Sequence, residues 1–252
     1  MRYIEDTKNY WSTRADVYTK CILPDFEGAR LKHWLRVIDR YKPEGDVLKI
    51  LDAGCGPGYF SIILAQQGHE ITAVDYTPQM LAETQSNAEK FGVLDRITIL
   101  RQDIQNLTFA DNTFDMVISR NVTWTLDDPE QAYRQWLRVL KPSGCFLNFD
   151  SNFLFAMYDE ALQKQYKEDE KKAIELGYIP EPNDHLADGM DQVLPNLTSA
   201  KHSRPAWDMQ VLAGMDCSMI TLDKDVYRWQ MHGDYRDILG NTSRQFMIYV
   251  KK

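Results

Sequence analysis

Apolar and polar positions change rhythm three times along this chain. Up to about Lys42 the spacing is helical. Leu31, Trp34, Leu35 and Ile38 recur at i, i+3, i+4 and i+7, which places them on one face. Pro43, Glu44 and Gly45 then break the pattern. From there short apolar runs alternate with helical stretches. VLKILDAG (47–54), EITAVD (70–75), RITIL (96–100), FDMVIS (114–119) and CFLNFD (145–150) read as buried strands. Between them one helix is predicted from Tyr59 to about Gln67, with Gly68 placed to end it. A second starts at Thr77-Pro78, an N-cap with proline at the first helical position, and runs to about Phe91. A third starts at Asp128-Pro129-Glu130-Gln131, a cap with a capping-box glutamine, and carries Tyr133, Trp136, Leu137 and Leu140 on one face.

Strands alternating with helices predict a parallel sheet covered on both faces, a doubly wound α/β fold. Past Asp150 the rhythm changes again. Residues 151–200 are aromatic, then strongly charged (KQYKEDEKKAIE, 164–175), then rich in Pro, Asn and Asp. This predicts a helix near 156–176 and an irregular loop to about 204. The core pattern resumes with a helix over Trp207–Gly214, a strand at SMITL (218–222) and a final strand at FMIYV (246–250). The expected division is 1–44, 45–150, 151–204 as an insertion, and 205–252 completing the core, all within one domain.

Composition narrows the function classes. The 252 residues carry a formal net charge of −8, which argues against duplex DNA or bulk RNA as a partner. No apolar run approaches the roughly 20 residues needed to cross a bilayer. The N-terminal stretch MRYIEDTKNYWSTRADVY lacks the apolar centre of a secretory signal, so a cytoplasmic location without membrane association is expected. Cys21, Cys55, Cys145 and Cys217 form no C-x-x-C pair and read as free thiols. No H-E-x-x-H or comparable spacing is present, and no metal is expected.

The segment LDAGCGPGYF (51–60) carries the chemistry. Asp52, Gly54, Gly56 and Gly58 form a D-x-G-x-G-x-G pattern at a strand-to-helix junction. Such a turn needs backbone angles closed to residues with a Cβ, and it lets a ligand lie against the main chain. A dinucleotide fingerprint would place its third glycine at position 59, where Tyr59 stands, and no G-K-[ST] follows for a nucleoside triphosphate.

With this loop the chain resembles the class I S-adenosylmethionine-dependent methyltransferases, in particular the small-molecule branch related to ubiquinone and menaquinone biosynthesis. ILDAGCGPGYF, ITAVDYTPQML, RQDIQNL, FDMVISRNVTW and RVLKPSGCFLNFD follow one another in the family's order between about Lys49 and Asp150. The resemblance implies a Rossmann-like sheet, mostly parallel with an antiparallel last strand, preceded by an N-terminal helical lid (1–44) and interrupted by a helical substrate cap (151–204). It implies S-adenosyl-L-methionine as cofactor and S-adenosyl-L-homocysteine as product. It also assigns roles. Asp52 helps hold the methionine ammonium beside Gly54, Gly56 and Gly58. Asp75 accepts from the ribose hydroxyls, with Tyr76 against the adenine. Asp103 accepts from the adenine amino group, with Ile104 on the ring. Asn121 borders the sulfonium, and Tyr10 and Trp11 belong to the lid.

The acceptor side is less defined. Tyr18, Trp124, Asp150 and Asn152 are candidates for substrate contact, Trp124 as an aromatic wall for the sulfonium. His185, His202 and Trp124 are the catalytic candidates, a histidine serving as base where the acceptor must lose a proton. The leading reading is methyl transfer to a small molecule by in-line displacement. The alternatives are a protein or RNA methyltransferase and a non-catalytic S-adenosylmethionine-binding regulatory module. Neither the acceptor, its attacking atom nor the oligomeric state follows from the residues.

Overall fold

The computed structural model describes residues 3–177, 190, 193–227 and 245–252. Three helices lead the chain: α1 (Ile4–Ser12), α2 (Ala15–Ile22) and α3 (Gly28–Tyr41). The alternating unit follows as β1 (Lys49–Ala53), α4 (Tyr59–Gln66), β2 (Glu70–Asp75), α5 (Pro78–Lys90), β3 (Ile97–Arg101), β4 (Phe114–Arg120), α6 (Pro129–Val139) and β5 (Leu140–Ser151). The insertion contributes α7 (Phe153–Tyr158), α8 (Glu160–Glu175) and α9 (Thr198–Lys201). The core then closes with α10 (Ala206–Ala213), β6 (Met219–Asp223) and β7 (Gln245–Lys251).

The strands form one seven-stranded sheet in the order β3-β2-β1-β4-β5-β7-β6. The ladders from β3 through β5 are parallel, and β7 runs antiparallel to both β5 and β6. This is the Rossmann-like arrangement expected from the sequence, last strand included. Where one helix near 156–176 was expected there are two, the uncharged α7 and then α8, which holds the whole charged stretch. Asp159 separates them and caps α8 by accepting from the Leu162 N–H at 2.8 Å.

Each face of the sheet has its own core. Period-two alternation sends Met116 and Ile118 of β4, with Leu147 and Phe149 of β5, to one side, against Trp34, Phe60 and Ile63. Val117 and Phe146 point to the other side, against Tyr133, Trp136 and Leu212. The predicted cap of α6 is formed: Asp128 Oδ1 accepts from the Gln131 N–H at 2.9 Å. Thr77 occupies the N-cap position of α5 without a side-chain cap bond. Its own N–H is instead held by Asp75 Oδ1 at 2.8 Å.

A third, smaller cluster joins the chain's beginning to its insertion. Tyr10 of α1, Trp124, Leu154 of α7, Leu194 and Leu197 are buried together, with Trp11 and Met157 at their edge. Among the described residues no helix is long and apolar enough to cross a membrane.

Candidate active site

A cavity opens at the carboxyl ends of β1, β2 and β4, where α/β sheets of this kind bind ligands. It encloses about 1030 Å3 with its mouth included, ample for a nucleoside-sized ligand and a small partner. Its floor is the loop between β1 and α4. Gly54 has φ +76° and Gly56 φ +53°, left-handed values that a side chain strains to adopt. A Cβ on Gly54 would come within 2.6 Å of Val122, whereas one on Gly56 would meet nothing nearer than Tyr18 at 3.9 Å. The first glycine lets the loop pack, and the second leaves its main chain bare to the cavity. Gly58 is also left-handed, but it faces Thr84 of α5, not the cavity.

Asp75 ties this floor to β2. Its Oδ2 accepts from the Gly56 N–H at 3.0 Å and its Oδ1 from the Thr77 N–H, while the carboxylate lines the cavity. Burial pushes its pKa upward. Asp52, beneath the loop, accepts from both the N–H and the hydroxyl of Ser61, at 2.9 and 2.6 Å. Burial still outweighs those bonds and raises its pKa to about 7. Asp103 and Ile104 sit on the same wall, and Asp103 accepts from the Gln105 N–H at 2.9 Å and the Asn106 side chain at 2.8 Å.

The helices α1 and α2 roof the space through Ile4, Thr7, Lys8, Trp11, Tyr18 and Ile22. Two bonds hold the roof down. The Tyr76 hydroxyl donates to Glu5 at 2.7 Å, and the Tyr3 N–H donates to Asp127 at 2.9 Å. Beyond β4, Asn121 has φ +57° and gives its N–H to the Phe149 carbonyl at 2.8 Å. Its buried side-chain oxygen has no hydrogen-bond partner among the described residues.

The structure therefore brings Trp11, Tyr18, Asp52, Gly54, Gly56, Asp75, Tyr76, Asp103, Ile104 and Asn121 to one cavity. Six other candidates lie elsewhere. Tyr10 faces the third cluster, and Gly58 faces α5. Trp124 is 4% exposed, packs edge-on to Trp11 with ring centres 6.2 Å apart, and donates its indole N–H to the Asn121 carbonyl. Its ring stands behind the cavity wall. Asp150 points to the opposite face of β5, where Arg204, Thr123 and the Trp124 N–H bind it. Asn152 accepts from the Arg204 N–H at 2.8 Å instead of facing the cavity. His202 is exposed and stacks on Trp207 with ring centres 5.4 Å apart, a place unsuited to a base for a ligand under α1. His185 lies outside the described residues.

Arg120, which the residue pattern did not single out, belongs to the cavity wall. It follows Met116 and Ile118 by the alternation of β4, and this was the available signal. Its guanidinium stands 5.0 Å from the Trp34 ring centre and 5.2 Å from that of Tyr59. Among the described residues no three His, Cys, Asp or Glu side chains are grouped as metal ligands.

A doubly wound sheet with a glycine floor and an acidic residue closing β2 defines an α/β protein of the Rossmann-like class. Residues 51–148 match the family described as the methyltransferase domain. YqeM of Bacillus subtilis (strain 168) is 36% identical over 126 residues, 48% of this chain and 49% of that one. The demethylmenaquinone methyltransferase of Desulfitobacterium hafniense (strain Y51) is 30% identical over 155 residues, 59% and 58% of the two chains. The chain thus spans about half the length of the curated relatives it matches. Among solved structures, an S-adenosylmethionine-dependent methyltransferase from Mesorhizobium loti has the same fold, with a TM-score of 0.61 at 17% identity, covering 88% of this chain and 100% of that one.

Proposed function

We propose that the chain binds S-adenosylmethionine in this cavity and transfers its methyl group to a small-molecule acceptor. The observation that carries the reading is the convergence of the bare Gly56 main chain, Asp75, Asp103 and the unpartnered Asn121 oxygen on one enclosed space. These residues fit the cofactor's chemistry. Asp75 holds the loop through the Gly56 and Thr77 N–H groups while its carboxylate stays in the cavity wall, where it is placed to accept from the ribose hydroxyls. Asp103 is placed for the adenine amino group, and Tyr76 and Ile104 for the ring. Asp52 is placed for the methionine ammonium, and Asn121 for the sulfonium end. When bound, the cofactor supplies a methyl carbon already activated by its sulfonium.

The protein's own part is then to orient an acceptor and exclude water. Helix α1 acts as a lid within residues 1–44, since its cavity-facing residues close the space above the floor. Residues 151–204 act as a cap that braces the lid through the cluster around Trp124 and Leu154. Residues 45–150 bind the cofactor and residues 205–252 complete the sheet. A small acceptor suits a cavity roofed by aromatic side chains, and the name of the Desulfitobacterium relative gives demethylmenaquinone, a quinone, as its acceptor. Calorimetric titration with S-adenosylmethionine tests the reading. Saturable binding by the wild-type chain, weakened at least about tenfold in Asp75→Ala, is expected from the loss of charge-assisted bonds. A folded wild-type protein that binds none refutes it.

A further inference from the structure

Resting on that reading, we propose that the acceptor carries a carboxylate on an apolar or aromatic body, and that Arg120 anchors it. Arg120 is a cation almost fully withdrawn from water, its side chain 15% exposed, in the wall of the cavity. Such a group is costly to bury unless its donors are used. They are used incompletely. Its Nε has no hydrogen-bond partner among the described residues, and its carboxylate contact is a long one, 3.4 Å to Asp25.

Asp25 itself is held more tightly by Arg30, at 2.6 Å. One carboxylate thus faces two guanidinium groups, which leaves a net positive charge beside the cavity. The rings of Trp34, Tyr59 and Phe60, with centres 5.0 to 5.9 Å away, steady the guanidinium by cation–π attraction and offer it no anion. The Tyr59 hydroxyl is turned away, donating to the Asp25 carbonyl at 2.8 Å.

The cavity is accordingly polarised. Asp75 and Asp103, from β2 and the turn after β3, stand on one flank, and Asp52 lies beneath the glycine loop. Lys8, the other basic residue of the wall, is paired with Glu5. A cofactor bearing a sulfonium and an ammonium suits the acidic flank. The single under-used cation, on β4 next to Asn121, suits an anionic group on the second ligand. Ile22, Tyr59 and Phe60 nearby suit that ligand's apolar body. Arg120 has the fork geometry that grips a carboxylate through two donors.

The experiment uses protein saturated with S-adenosylhomocysteine and follows tryptophan fluorescence, since Trp34 lies against Arg120. Benzoate and phenylacetate are titrated against their neutral amides, benzamide and phenylacetamide. The wild type is expected to prefer each carboxylate by about tenfold or more, the value of a buried charge-assisted bond. Arg120→Met should abolish the preference while S-adenosylhomocysteine still binds, and the milder Arg120→Lys should retain part of it. Equal binding of acids and amides by the wild type overturns the proposal. So does a loss of S-adenosylhomocysteine affinity in both variants with the fold intact, because Arg120 would then be serving the cofactor's own carboxylate. A wild-type chain that binds no S-adenosylhomocysteine defeats the parent function first and this proposal with it, so the two failures are distinguishable.

Discussion

Arg204 Nη1 lies 3.2 Å from Asp150 Oδ2, and both side chains are entirely withdrawn from solvent. The same guanidinium binds Asp208 at 2.5 Å and donates to the hydroxyls of Thr123 and Tyr133. It neutralises two core carboxylates and joins the end of the insertion to the Thr123–Thr125 turn. Val122, Thr125 and Leu126, which line the cavity, flank or belong to that turn.

Removing this cation leaves two buried carboxylates facing each other. Arg204→Ala should destabilise the protein by about 3–5 kcal/mol, visible in calorimetry as a fall in Tm of roughly 6–20 °C. Adding Asp208→Asn should restore part of the loss by removing one orphaned charge. Burial already raises the Asp150 pKa, so its carboxylate takes up a proton readily. The defect should therefore be smaller at pH 5 than at pH 8. A loss independent of pH and unmoved by the second substitution would contradict this account.

Gly54→Ala combines two penalties, a left-handed backbone at φ +76° and a Cβ 2.6 Å from Val122. Denaturant unfolding should show a loss of about 2–3 kcal/mol. In a Val122→Ala background the overlap is relieved and the cost of this substitution should drop to about 1 kcal/mol, the backbone share. An equal cost in both backgrounds would mean the overlap contributes nothing.

The Asp52 carboxyl titrates near pH 7 because burial outweighs its bonds to Ser61. A folded pKa above the unfolded one means the group favours folding most below the ordinary carboxylate range. That contribution is lost as pH rises towards about 7. A cationic ligand beside Asp52 reverses the preference, since it favours the ionised form. S-adenosylmethionine should bind about tenfold more tightly at pH 8 than at pH 6, with net proton release seen by titrating in buffers of different ionisation enthalpy. Asp52→Asn should flatten that profile. A wild-type affinity constant across this range would separate Asp52 from the ammonium.

His202 offers a contrast. Exposed and stacked on Trp207, it is remote from the cavity, so His202→Ala should leave S-adenosylmethionine affinity unchanged and stability within about 0.5 kcal/mol. Once an acceptor is in hand, loss of turnover with unchanged cofactor binding would restore it as a base.

Local signals carried the fold. Gly68 and Gly92 stop helices with left-handed backbones at φ +92° and +69°, and the apolar runs bounded by such signals became the parallel strands. The acidic residues of the cavity wall were readable for the same reason, since Asp52, Asp75 and Asp103 stand at the ends of strands or just beyond them. What failed was partnership across long stretches of chain. Asp150 ends a strand just as Asp75 does, yet it faces the other side of the sheet and is claimed by Arg204, 54 residues later. Trp124 drew notice as an aromatic residue past β4, but its indole is committed to the Asn121 carbonyl. Arg120 does not stand out in the sequence, because a strand-end arginine ordinarily carries its charge out to water. Trp34, from a helix more than eighty residues earlier, with Tyr59 and Phe60, keeps it inside.

The placement of β7 sets an order of assembly. Among the described residues strand β6 stands at the sheet's edge and hydrogen-bonds to β7, which comes after it and separates it from β5. On a ribosome, residues 219–223 therefore emerge with no ladder to join, and the open flank of β5 waits as well. A chain halted between them would display two unsatisfied strand edges at once, the surface on which nascent proteins aggregate or recruit chaperones. Arrival of residues 245–251 closes both in one event, so the β5 end of the sheet is completed by insertion into a gap.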